Sequence, residues 1–129
     1  MTHAAFTTCL IDPFTQTITE VQYRGDYKHI YELIDADTYD AARINKHGDA
    51  LFVDDEGLFK EEQAFFLHKD YPQPLAGKAL LLGCRASDGE TIAPTETLEQ
   101  LQQNVRFVMP VRVNGEVVWL DAEGQIAHV

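Results

Sequence analysis

The stretch from Lys78 to Cys84, KALLLGC, is continuously apolar after its first residue, as a strand covered on both faces would be, and it predicts an interior strand of a sheet. Phe6 to Ile11 reads as a strand, Asp12-Pro13 as a turn, and Thr17 to Tyr23 as a β-branched strand pairing back on the first. Arg24-Gly25 then breaks the pattern. Asp26 stands at an N-cap position ahead of Tyr27, Ile30, Tyr31 and Ile34, which fall at i, i+3, i+4 and i+7, so a helix is expected with that stripe in the core and Glu32 toward water. Two strands, Tyr39 to Asn45 and Ala50 to Val53, follow around Lys46-His47-Gly48, and an acidic turn closes at Gly57, expected at positive φ. Leu58-Phe59 and Ala64 to Leu67 have aromatic surface to bury, but Lys60, Glu61 and Glu62 interrupt them. That segment is expected to be irregular or one short helical turn, with Pro72 and Pro74 making its tail a loop. RASDGETIAP is a longer connection than usual and marks a candidate subdomain boundary. Thr97 and Gln100 form a capping-box pattern, with Leu98, Leu101 and Val105 as the buried stripe of a short helix. Phe107 to Val113 and Val117 to Leu120 flank Asn114-Gly115, the strongest hairpin signal in the chain, and Gly124 and Ile126 lead the end back toward the sheet. The expected fold is α+β: a mixed, mainly antiparallel sheet with two short helices and hairpins, in a single domain over residues 1–129.

One pattern occurs twice. RINKHGDALFVDDEG, Arg43 to Gly57, and RVNGEVVWLDAEG, Arg112 to Gly124, each read as a basic residue, an apolar strand, a turn at Asn and Gly, a second apolar strand and an acidic turn ending in Gly. The match needs a two-residue gap in the first turn, so it fits either an old duplication or two hairpins obeying the same turn chemistry. It brings no catalytic group.

A length of 129 residues suits one continuous core, and the 45% apolar fraction, ordinary for a globular protein, argues against disorder. The 21 acidic and 10 basic residues leave a formal charge of -11, which repels phosphates and anionic lipid and so disfavours direct nucleic-acid binding. Residues 1–64 carry 13 of the acids against 5 bases. Asp35, Asp37 and Asp40 in one segment, and Asp54, Asp55, Glu56, Glu61 and Glu62 in another, would make one negative face if the fold brings them together. Solubility alone accounts for such a charge; a surface complementary to a basic partner is the sharper reading. Cys9 and Cys84 sit in apolar runs and are expected as buried reduced thiols, with a single disulfide as the alternative. The N-terminal residues have no basic region followed by an apolar run, and no stretch approaches a membrane span, so a cytoplasmic protein with no membrane association is expected.

Catalytic chemistry finds little support. Ser87, the only serine, lies in GCRASDG rather than in a nucleophile elbow and suits turn capping with Asp88-Gly89; that segment is no phosphate loop either. The histidines His3, His29, His47, His68 and His128 show no helical metal spacing. Asp35 to Asp40 offers alternating oxygens without the Gly and terminal Glu of a calcium loop, so no metal and no cofactor are expected. His68 beside Asp70 and Tyr71 is the one local group that resembles an acid/base cluster. Trp119, on the last hairpin strand, is expected in the core, or as a partner anchor if that hairpin is an edge, and edge pairing is the structural route to a homodimer.

Four segments taken in order, LIDPFTQTITEV, YELID, VDDEGLF and LAGKALLLG, resemble an uncharacterised domain family of bacteria, their phages and conjugative elements, a domain of unknown function. The resemblance spans about residues 7–92 and leaves residues 93–129, the C-terminal helix and hairpin, outside it. It implies an α+β fold and an origin on a mobile element, and no known activity. The reading that follows is a small acidic, non-enzymatic binding protein, an accessory factor of a phage or mobile element acting on a basic host protein through Asp35, Asp37, Asp54, Asp55, Glu56, Glu61 and Glu62, with Trp119 as a further contact. Two alternatives stand beside it: a small-ligand-binding protein or enzyme with a pocket near His68, Tyr71 and Arg85, and a structural homo-oligomeric module.

Overall fold

The structure, a computed structural model, describes residues 5–127; His3 and His128 lie outside that range. Two antiparallel sheets and two short helices make up the fold. The larger sheet runs in the order β2 (Thr17–Tyr23), β1 (Phe6–Asp12), β7 (Ala79–Cys84), β4 (Ala50–Val53), β3 (Asp40–Arg43), with β8 (Thr91–Ile92) paired to the end of β7. The smaller sheet is ordered β10 (Glu116–Asp121), β9 (Val105–Val113), β5 (Phe65–His68), β6 (Leu75–Ala76). The architecture is thus strand-rich α+β with two sheets in place of the single one expected, and every strand pair among the described residues is antiparallel.

β7 is interior, as its composition demands: it lies between β1 and β4, and Leu80, Leu81 and Leu82 are buried. Alternation divides its side chains. Ala79 and Leu81 join Cys9, Ile11, Leu51 and Val53 against Phe66 and Leu75 of the smaller sheet and Leu101 of α2 (Leu98–Asn104), the main core. Leu80 and Leu82 face the other way, onto Ile30 and Ile34 of α1 (Tyr27–Ile34) and Tyr23. A third cluster, Phe65, Leu67, Val108 and Ala127 with Trp119 packed on it, covers the far side of the smaller sheet. Burying an aliphatic side chain of this size stabilises by roughly 1.5–3 kcal/mol, so β7 is the element whose loss the fold tolerates least.

Both helix starts are as the sequence predicts. The Asp26 side chain accepts from the His29 N–H, and Thr97 and Gln100 complete a reciprocal capping box. The α1 stripe is narrower than expected. Ile30 and Ile34 are buried, but Tyr27 is 58% exposed. The reason is aromatic stacking along the surface: Tyr27 meets Tyr31 edge-on at 6.3 Å, Tyr31 meets Tyr39 at 5.4 Å, and Tyr39 meets Phe52 at 5.3 Å. His29 takes the inward position instead, lying parallel to Tyr23 and accepting from the Arg24 N–H at 2.9 Å.

Five other expectations are corrected. Phe65–His68 is a strand, buried at all four positions, and not irregular. Leu58 and Phe59 are not buried; they follow Gly57 in a single 3-10 turn on the surface. Gly57 itself lacks a positive φ, and its glycine is needed for space, since a Cβ there would meet the Ala76 carbonyl oxygen at 3.1 Å. The connection after Cys84 folds back as a hairpin, with Gly83 opposite Ile92 and the Arg85 N–H donating to the Glu90 carbonyl at 2.8 Å. It marks no boundary, because strands before and after it share the smaller sheet. Finally, both cysteines are free, and only Cys9 is buried; Cys84 lies beyond the last residue that β4 pairs with, and is exposed.

Candidate partner-binding ridge

The loop between β4 and β5 draws the two acidic segments together. Lys60 is the link: its ammonium lies 2.6 Å from the Asp54 carboxylate and donates to the Asp35 carbonyl at 3.0 Å. The hydrogen bond to Asp54 raises the Lys60 pKa, with further help from the charges of Asp37 and Asp35. Lys78 pairs with the Asp35 carboxylate from below. Asp54, expected among the acids of an exposed partner-binding face, is therefore not available there. It is buried, accepts from the Glu56 N–H at 2.9 Å, and holds the turn in place.

Two clefts share Asp54 and Gly57 in their linings, so the 3-10 turn rises where they meet and its exposed Leu58 and Phe59 form a ridge. The first cleft, about 560 Å³, also presents Asp12, Asp35 and Glu62, together with Lys60 and Lys78, which pair with Asp54 and Asp35 and leave the carboxylates in excess. The second, about 240 Å³, presents Asp40 and Asp55. On the ridge Leu58 is 67% and Phe59 87% exposed, and Phe14, 48% exposed, looks into the first cleft. An apolar crest where acidic walls meet is a surface that a cationic, partly apolar partner can complement. The aromatic residue supplies area at little entropic cost, and the carboxylates supply orientation. Sequence reasoning found the acids and missed the crest; the legible signal was DDEGLFKEE itself, in which two large apolar residues stand amid charges on both sides.

The sequence-derived ligand group does not assemble. His68 and Tyr71 line one cavity of about 440 Å³, whereas Arg85 lines another and pairs with Asp88 at 3.0 Å. His68 is also spoken for. The Asp70 N–H donates to its Nδ1 at 3.1 Å, so that nitrogen is bare, and Nε2 carries the proton that reaches the Glu96 carboxylate at 3.0 Å. With both ring nitrogens engaged and the ring buried, His68 holds β5 to the loop before α2. Asn104 donates to the same carboxylate. Glu96 in turn gives its N–H to Asp49 at 2.9 Å, and Asp49, with no exposed surface, also accepts from the Thr95 N–H and hydroxyl and from Asn45. Burial pushes both carboxyls up, but these hydrogen bonds outweigh it and hold Asp49 and Glu96 below their ordinary values. The network fastens the β3–β4 loop to the start of α2. Nothing in the spacing of Asp49 and Glu96 announces it. Trp119 stacks edge-on against Phe65 at 5.0 Å on the smaller sheet, half-buried against the cluster that includes Ala76, the residue Gly57 meets.

Residues 6–106 match the family described as Domain of unknown function (DUF3846). The chain belongs to that family. The match covers the ridge, the Asp49 network and α2, and it ends two residues into β9, fourteen residues beyond the resemblance seen in the sequence. The β9–β10 hairpin is thus almost wholly outside it. No curated protein and no solved structure matches the chain.

Proposed function

We propose that this DUF3846 protein is a non-enzymatic binding protein whose β4–β5 ridge engages a basic partner. The observation that carries the reading is Phe59, 87% exposed, set beside Asp55, Glu56, Glu61 and Glu62 where two carboxylate-lined clefts meet. Scattered single apolar residues need no explanation, but adjacent Leu58 and Phe59 on a turn pinned from beneath by Asp54 and Lys60 form a fixed patch. The family resemblance suggests the narrower form: an accessory factor of a phage or mobile element that acts on a host protein. The engagement of both His68 nitrogens weighs against the enzyme alternative at that cavity.

The test compares capture of proteins from host-cell lysate by three immobilised forms: the native chain, Phe59→Ser, and the quadruple change of Asp55, Glu56, Glu61 and Glu62 to Asn or Gln. A basic protein retained by the native form and lost from both variants supports the proposal. A captured set that is the same for all three removes it.

A further inference from the structure

α1 covers only part of its face of the larger sheet. Beyond Ile30 and Ile34 the same face continues through Arg43 of β3, Ala50 and Phe52 of β4 and Cys84 of β7, and there it opens into a cavity of about 630 Å³. The β3–β4 loop contributes Lys46 and His47 to its rim, and the β7–β8 hairpin contributes Arg85. The lining holds three permanent cations and no carboxylate, in a chain with 21 acids and 10 bases. Arg85 has Asp88 as an exposed partner at 3.0 Å. Arg43 and Lys46 make no side-chain hydrogen bond or ion pair among the described residues. One wall is aromatic, Tyr39 and Phe52 with ring centroids 5.3 Å apart. Another is main chain: Gly48 sits at φ +98°, and a Cβ there would fall 2.5 Å from the Cys84 carbonyl oxygen, so only glycine lets the loop close over the end of β7.

We propose that this cavity binds a mononucleotide, with its phosphate among Arg43, Lys46 and Arg85 and its planar base against Tyr39 and Phe52. Arg43 and Lys46, without carboxylate partners among the described residues, are suited to phosphate oxygens, with Arg85 beside them exchanging its exposed Asp88 contact, and an aromatic wall accepts any base by stacking. The volume lies within the roughly 300–1,000 Å³ of small-molecule sites. The overall charge of -11 opposes a polyanion, but screening over about 10 Å at 0.1 M salt lets a single phosphate respond to the local cations. None of the ridge residues lines this cavity, so the proposal stands apart from the partner-binding reading.

Cys84 provides the readout, since its side chain lines the cavity. Cys9 will not compete: burial, with Glu20 and Glu96 nearby, pushes its thiol up to about 11. The rate of Cys84 alkylation by iodoacetamide is measured against AMP, GMP, CMP, UMP and inorganic phosphate, with calorimetry of the same additions. At least one mononucleotide should protect Cys84 saturably at about tenfold lower concentration than phosphate, reflecting the added stacking. The double change Arg43→Gln and Lys46→Gln should raise the half-protecting concentration about tenfold or more, while Lys69→Gln in the turn after β5 should not move it. Three results each overturn the proposal: no protection by any of the four up to about 1 mM, the weak end of small-ligand binding; phosphate protecting as well as the mononucleotides; or half-protection unchanged by the double substitution.

Discussion

The β3–β4 and β9–β10 hairpins share a register residue for residue. Arg43 stands opposite Ala50 as Arg112 stands opposite Val117, and Ala42 faces Leu51 as Val111 faces Val118. Each closes into the same turn. The Gly57 N–H reaches the Asp54 carbonyl at 3.1 Å, and the Gly124 N–H reaches that of Asp121 at 3.0 Å; each Asp side chain also caps the Glu two residues on. They part in how they dock. The first hairpin joins its sheet through its second strand, β4 on β7, while the second joins through its first strand, β9 on β5. Leu51 is therefore sealed in the core, whereas Met109, Val113 and Val117 are exposed, because β5 reaches only as far along β9 as Val108. Turn chemistry sets a hairpin's register, but the strand that finds a neighbour decides which of its residues become core. The matching pairings fit related copies and shared turn chemistry alike. Gly57 departs from its counterpart at this level too: Gly124 has φ +80°, and Gly57, pressed on Ala76, does not have a positive φ.

Equivalent substitutions in the two hairpins should have unequal consequences. The largest is a charge in the strand: Leu51→Asp should abolish the cooperative melt, as should Leu81→Asp across the β4–β7 pair, while Val118→Asp should leave a folded protein. Equal losses at Leu51 and Val118 would break the comparison. Next comes the turn acid. Asp49→Ala leaves several buried donors unmatched and should cost about 3 kcal/mol, against under about 0.5 kcal/mol for its exposed counterpart Glu116→Ala, read from denaturant midpoints. The same acid sets a pH dependence. Asp49 and Glu96 ionise below their ordinary values in the fold, so the unfolded chain takes up protons first as pH falls. Their contribution is complete above the ordinary carboxylate range, near about pH 4, and is lost as pH drops through it and below, and Asp49→Asn should flatten that acid limb. Smaller again are the glycines. Gly115→Ala meets no atom and should cost only the strain of positive φ, about 1 kcal/mol, whereas Gly48→Ala adds a collision with the Cys84 carbonyl and should cost clearly more. The smallest effect belongs to the ridge. Neutralising Asp55, Glu56, Glu61 and Glu62 should shift stability by under about 0.5 kcal/mol per site, and adding Asp54→Asn should bring a visible loss, since it removes the turn cap and the Lys60 pair.

Where one residue type admits one physical solution, the chain was legible. β7 could only be interior, Thr97 with Gln100 could only start a helix, and Asn114-Gly115, both at positive φ, could only make a tight turn. Phe65–His68 was not legible, because four consecutive residues are buried, on both faces of the strand, which hides the alternation that marks a half-exposed strand, and the last of them is a histidine whose partner, Glu96, lies 28 residues away. The ridge was legible in its acids alone. Whether Leu58 and Phe59 face in or out depends on Gly57 meeting Ala76, a contact between segments that no local pattern encodes. Asp49 shows the same limit, since its ligands Thr95 and Glu96 come from the far end of the domain.

The central claim is that the crest and the acids act on one partner in different ways, and association kinetics separate them. With the protein captured on the native chain, the association rate constant is measured at about 0.05 and about 0.5 M salt, across which the screening length shrinks severalfold. The native rate should fall steeply with salt, the quadruply neutralised form should be slow and nearly salt-independent, and Phe59→Ser should keep the native association rate but dissociate faster. A partner whose association ignores salt, and whose dissociation ignores Phe59, would contradict the account.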